Sequence, residues 1–256
     1  MSDTIDPNRP LEAEDFEGEV LTITKEELNK LDTEDLPLSP VVLNEKSKRK
    51  EIEAACKQLR ERGVIGFDTE TKPSFKKGGS HHPVALLQLA TDRVVVLVRL
   101  IRIKDFTEPK WMPLRRLLAS PNILKVGVGI HDDGLGLAKD YGLITNKTLD
   151  LRSLAKADGM DVLSLTKIYS LLFGKRLSKG QRLSDWEKPE LSGAQMEYAG
   201  LDAFAGYQIY DKLKHLATPQ MVTKKLYGEQ KPKAYKKPEN RVRKQVKKKP
   251  RKGVER

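Results

Sequence analysis

Residues 63–71, "GVIGFDTET", form an apolar run that stops on two acids, Asp68 and Glu70, with Thr69 between them. Side chains two apart on a strand project from the same face, so both carboxylates stand together where the apolar run ends. Two like charges held side by side are costly unless a cation lies between them. An ordinary solvated turn has the same local pattern, so the pair must be weighed with the rest of the chain.

Two further stretches repeat the theme. "GVGIHDDGLG" (127–136) is a second apolar strand that ends in acids, Asp132 and Asp133, where a helix begins. Asp is also a favoured helix cap and suits the first turn electrostatically. "MEYAGLDAFAGYQIYDKL" (196–213) places Tyr198 and Asp202 four apart, on one helical face. Small residues beside them, Ala199, Ala203 and Gly206, let that helix lie close against a neighbour. A core tyrosine with an aspartate at its rim has this spacing too. Taken together, the clusters offer four carboxylates and a phenol from separated parts of the chain. Hard oxygen donors of this kind select Mg²⁺ or Mn²⁺ over zinc or copper. Two such ions, about 3.5–4 Å apart, form a clamp for in-line displacement at phosphorus. A tyrosine hydroxyl, with a free pKa of about 10, is a poor base at neutral pH but can orient a water.

Working outward, "KSKRKEIEAACKQLRERG" (46–63) predicts a helix, with Ile52, Ala55, Cys56 and Leu59 on one face and Gly63 as its stop. Strand-like runs at 64–69, 84–90 and 93–100 suggest a meander of neighbours. A helix near 112–119, a strand at 123–130, a short helix and a strand at 147–152 follow. Helices at 161–174 and from 193 to 216 complete an α/β pattern with a mixed sheet.

"FDTET", "GVGIHDD" and "YAGLDA" resemble the three motifs of the DEDDy branch of DnaQ-like 3′–5′ exonucleases. The chain is similar to RNase D and, more so, to Werner-type exonuclease domains. "HPVALLQLAT", "KVGVGI" and "LSDWEKPELSGAQMEYAGLDAFAGYQIYDKL" carry that likeness over residues 45–217. The resemblance implies a ribonuclease H-like fold with a mixed five-stranded sheet, three strands antiparallel and two parallel, flanked by helices. It also implies two divalent ions, Mg²⁺ or Mn²⁺, and hydrolysis from the 3′ end to nucleoside 5′-monophosphates. By the motifs, Asp68, Glu70, Asp133 and Asp202 would be the metal ligands and Tyr198 a fifth catalytic residue. Asp132 would then be a neighbour.

Charge divides the chain. Residues 1–43 hold 12 acids against 3 bases, and residues 223–256 hold 15 bases against 3 acids. We expect an acidic head (1–43) lacking regular structure apart from one short docking segment for a protein partner. An exonuclease domain (44–222) follows, then a disordered basic tail (223–256). The run "KKKPRK" (247–252) suggests nuclear import or a phosphate-binding arm. The head lacks the apolar core of a secretory signal and the arginines of a mitochondrial one. No apolar window nears the ~18 residues of a membrane span, so no membrane role is expected. One cysteine, Cys56, excludes an internal disulfide and a cysteine-based zinc site and suits a reducing intracellular compartment.

For substrate, Thr69 and the basic loops "KPSFKKGGSHHP" (72–83) and "GKRLSKGQRLSDW" (174–186) nominate Lys76, Lys77 and Arg182 as contacts to a nucleic acid with a free 3′ end. His81 and His82 are expected at the surface, Trp111 and Trp186 in the core. The Werner-type likeness favours DNA over RNA. The alternatives are an RNase D-type exoribonuclease for RNA 3′ ends, or a non-catalytic nucleic-acid-binding adaptor on the same fold.

Overall fold

The structure, a computed structural model, describes residues 20–74 and 81–223. The chain opens with helix α1 (Lys25–Lys30), strand β1 (Val41–Leu43) and helix α2 (Arg49–Arg60). Three strands follow, β2 (Val64–Thr71), β3 (Val84–Ala90) and β4 (Val95–Val98). Helix α3 (Met112–Ala119), strand β5 (Leu124–Gly127) and helix α4 (Ile130–Tyr141) come next. Strand β6 (Thr148–Asp150) runs into α5 (Leu151–Ala157), then α6 (Leu165–Phe173), α7 (Gly193–Leu213) and the short β7 (Val222–Thr223).

The strands form one mixed sheet in the order β1-β4-β3-β2-β5-β6-β7. The antiparallel meander β2–β3–β4 and the parallel pairs β2–β5 and β5–β6 are the five strands expected from the sequence. The sheet has seven strands rather than five, because β1 adds in parallel to β4 and β7 antiparallel to β6. Both additions are edge strands of three and two residues, too short to show a period. The strand expected at 147–152 ends at Asp150, whose carboxylate caps α5 by accepting from the Arg152 N–H; that helix was not foreseen.

Alternation in β2 feeds two cores. Ile65 and Phe67 face α2, α3 and α4, whereas Gly66, Asp68 and Glu70 face α7. Helix α7 lies almost on the sheet. A Cβ added at Gly66 would stand 1.9 Å from the Ala203 carbonyl oxygen and 2.8 Å from the Tyr207 nitrogen. We expect Gly66→Ala to destabilise the fold by about 3 kcal/mol or more, since backbone cannot yield as a side chain can. A denaturant midpoint equal to that of the unsubstituted protein would refute this packing.

The acidic head requires correction. Residues 21–43 are folded onto the domain: Thr24 and Glu27 form a capping box on α1, Leu21 bridges Met160, and Thr33 bridges Arg176. Leu21, Ile23, Leu28 and Leu31 are buried. The Lys167 ammonium donates to the Ile23 carbonyl (2.7 Å), the Arg176 guanidinium to the Leu31 carbonyl (2.9 Å), and Lys175 pairs with Glu34 (3.1 Å). The docking segment therefore binds its own domain, because a few spaced apolar residues suffice once a surface receives them. Residues 1–19 and the tail from 224 lie outside the described residues. Among the described residues no helix is long and apolar enough to cross a membrane.

Candidate active site

Three pieces of backbone bring the five motif residues together. Asp68 and Glu70 lie toward the C-terminal end of β2, Asp133 in the first turn of α4, and Tyr198 and Asp202 one turn apart on α7. The β5–α4 turn depends on Gly129, whose φ of 79° suits glycine. Its N–H donates to Asp150 Oδ2 (3.2 Å), and Asp150 is itself ion-paired with Arg152. Thr69 points the other way from its neighbours and donates its hydroxyl to Asp133 Oδ1 (2.5 Å). Its backbone N–H donates to Asp68 Oδ1 (2.8 Å). Thr69, expected to contact substrate, also holds two of the acids in place.

The electrostatics show how close the acids are. Burial, then the charges of Asp202, Asp133 and Glu70, hold the Asp68 carboxyl well above the usual range. Burial raises Glu70 to about 8, helped by Asp202 and Asp133 and opposed by Arg182. Asp202 is pushed up to about 7 by burial, which its hydrogen bond with Tyr198 partly offsets. Asp133 rises to about 6 through burial, against the hydrogen bond from Thr69. The Tyr198 phenol is displaced upward by burial and by Asp202 and Glu70, so it stays protonated.

None of the four carboxylates is ion-paired among the described residues. Nor do they close into a ready cage of three ligating side chains there. The arrangement is an acid-lined floor whose charge is only partly offset, at a distance, by Arg182 and Arg152. Hard oxygen donors without a direct ion pair fit a hard divalent cation. Asp132, one residue from Asp133, is exposed. Asp133 is the less exposed of the two, in keeping with the motif resemblance, which makes Asp132 its neighbour.

The rim is tied down by residues that sequence reasoning did not nominate. Lys72 pairs with Asp185 (2.8 Å) and Glu187 (3.7 Å), and His82 Nδ1 lies 2.9 Å from Glu187 Oε1. Buried Gln195 donates to Ser184 Oγ (2.9 Å) and to the Asp185 carbonyl (3.2 Å), while forming a capping box with Ser192 on α7. The spacing S-x-x-Q at 192–195 was the available signal. Trp186 is buried beside Tyr198, ring centroids 6.0 Å apart, and Trp111 is also core, as expected. His81 is exposed and pairs with Asp140 (2.9 Å); His82 is half-buried. Arg182 is exposed and acts on Glu70 through space. Lys76 and Lys77 lie outside the described residues.

The chain shares this architecture with known proteins. It is 39% identical over 153 residues to exonuclease 3′-5′ domain-containing protein 2 of Drosophila melanogaster, covering 59% of this chain and 25% of that protein. It is 35% identical over 156 residues to a 3′-5′ exonuclease of Arabidopsis thaliana, covering 59% and 53%. The chain thus spans about a quarter and about half of these relatives' lengths. The Aedes aegypti Nibbler EXO domain shares the fold, with a TM-score of 0.62 at 24% identity over 72% of this chain and 92% of that one. A profile of the 3′-5′ exonuclease family matches residues 45–217, which span strands β2 to β6 and α7, and the chain belongs to that family.

Proposed function

We propose that the protein is a 3′–5′ exonuclease that hydrolyses nucleic acid to nucleoside 5′-monophosphates with two divalent cations, Mg²⁺ or Mn²⁺. The observation that carries this is the group of four clustered carboxylates, none of them in a direct ion pair among the described residues. Asp68, Glu70, Asp133 and Asp202 would hold the ions. Bound there, two divalent ions supply a lowered pKa for the attacking water and charge neutralisation at the scissile phosphate.

The chain's own residues do the rest. Burial keeps Tyr198 protonated, so its hydroxyl serves as a hydrogen-bond donor rather than a base. Its bond to Asp202 places that hydroxyl beside the acids, where it can orient a water. Thr69 hydrogen-bonds to both Asp68 and Asp133 and so ties the first two motifs together. The Lys72 ion pair with Asp185 and the His82 hydrogen bond with Glu187 brace the wall beside them. We expect Tyr198→Phe to lower kcat by about 10- to 100-fold with little change in divalent-ion affinity, because the hydroxyl orients and does not ligate. Single-turnover cleavage alongside a Mn²⁺ titration checks this.

The Werner-type motif pattern supports DNA as the first substrate to try. Digestion of matched 5′-labelled DNA and RNA oligonucleotides with Mg²⁺ or Mn²⁺ tests the whole reading, with an Asp68→Ala/Glu70→Ala double variant as blank. A ladder shortening from the 3′ end of DNA, absent from the blank, is the expected result. The same ladder on RNA alone would assign the exoribonuclease alternative. No ladder on either strand would leave the adaptor reading. The basic run 247–252 supports a nuclear location or a polyanion-binding arm.

A further inference from the structure

Gln88 is a polar residue in a strand that is otherwise apolar, "VALLQLA". In the antiparallel register it stands directly opposite Asp68, so the two side chains share the face beneath α7. It is fully buried, and neither its Nε2 nor its Oε1 has a hydrogen-bond partner. A buried amide left unpaired is destabilising, and a leucine or methionine would fill the same volume without that penalty. What distinguishes the position is its neighbour. The Thr69 N–H occupies Asp68 Oδ1, and among the described residues no side chain or backbone donor is recorded on Oδ2.

We infer that Gln88 is a positioning residue for Asp68: its side-chain N–H donates to Oδ2 and holds the carboxylate in its ligating orientation when cations are bound. A neutral amide suits this place. It orients the ligand without the positive charge of a lysine, which would compete with the cation, or the fifth negative charge of a glutamate. Groups hydrogen-bonded to a metal ligand commonly affect affinity in this way. The inference rests on the metal-dependent exonuclease reading above.

The test is Mn²⁺ binding by the full chain at fixed pH, followed by electron paramagnetic resonance, with thermal melting of the metal-free protein in parallel. Gln88→Leu and the unbranched Gln88→Met should fold, melt no lower than the unsubstituted protein, and bind Mn²⁺ about tenfold more weakly. Unchanged affinity in a folded Leu or Met variant would overturn the inference while leaving the exonuclease reading intact. Absence of Mn²⁺ binding by the unsubstituted protein would overturn both.

Discussion

Asp68→Asn and Asp202→Asn proteins will cleave oligonucleotides about a hundred- to a thousandfold more slowly than the unsubstituted chain. Losing one preorganised group that stabilises transition-state charge typically removes about 3–4 kcal/mol. These two carboxylates sit deepest in the shared negative field: Asp202 is 9% exposed, and three other acids act on Asp68. Asparagine keeps the volume and one oxygen but removes the charge that would hold a divalent ion. Folding should be intact, so far-ultraviolet circular dichroism should match the parent. Asp132→Asn provides the contrast. It alters an exposed acid one residue from Asp133 and should leave turnover within about twofold, as surface substitutions generally do. Rate constants from single-turnover digestion decide the matter. Near-normal rates in Asp68→Asn or Asp202→Asn would remove those residues from the catalytic set, and a large loss in Asp132→Asn would mean that the second-motif ligand has been misassigned.

The metal-free protein should lose stability as pH rises from about 5 to above 8. A carboxyl whose folded-state pKa lies above its unfolded value takes up a proton on folding. Its favourable contribution is complete below the unfolded pKa and disappears as pH climbs through the folded one. Asp133, Asp202 and Glu70, at about 6, 7 and 8, spread that loss across the window, and Asp68 adds to it in the same direction. Replacing Glu70 and Asp202 by Gln and Asn should flatten the slope and raise the melting temperature at pH 8 by ~5 °C or more. Mg²⁺ or Mn²⁺ should restore stability to the unsubstituted protein and do little for the double variant, because a ligand stabilises only the state that binds it. Melting curves between pH 5 and 8.5, in chelator and in excess metal, provide the measurement. A pH profile unaffected by the double substitution would show that neither burial nor neighbouring charge raises these carboxyls in the folded chain.

Both expectations depend on how the site is built, and its parts differ in how legible they were. The motif acids could be read from the sequence because each marks a local change of state: an apolar strand ends at Asp68 and Glu70, another ends before Asp133, and Tyr198 and Asp202 share one helical face. Order and spacing then sufficed for the resemblance to the exonuclease motifs. The five central strands were legible for a related reason. Buried strands in a layered α/β fold are continuous apolar runs, and each announces itself without knowledge of its partners. Edge strands do not. Three residues of β1 and two of β7 carry no period, and their pairing follows from which edges β4 and β6 leave exposed. The head was misread for a similar reason: composition averages over residues, whereas the burial of Leu21, Ile23, Leu28 and Leu31 depends on a surface built from residues more than a hundred positions away.

By itself, then, the sequence determined the fold class, the central strands and the identity of the five motif residues, because these rest on local periodicity and motif order. Tertiary structure alone decided that Thr69 braces Asp133, that Asp132 is exposed beside it, and that Gln88 stands unpaired against Asp68. Such facts depend on strand register and on the close approach of α7 at Gly66. Register and helix approach are relations between segments far apart in the chain, and no single segment encodes them.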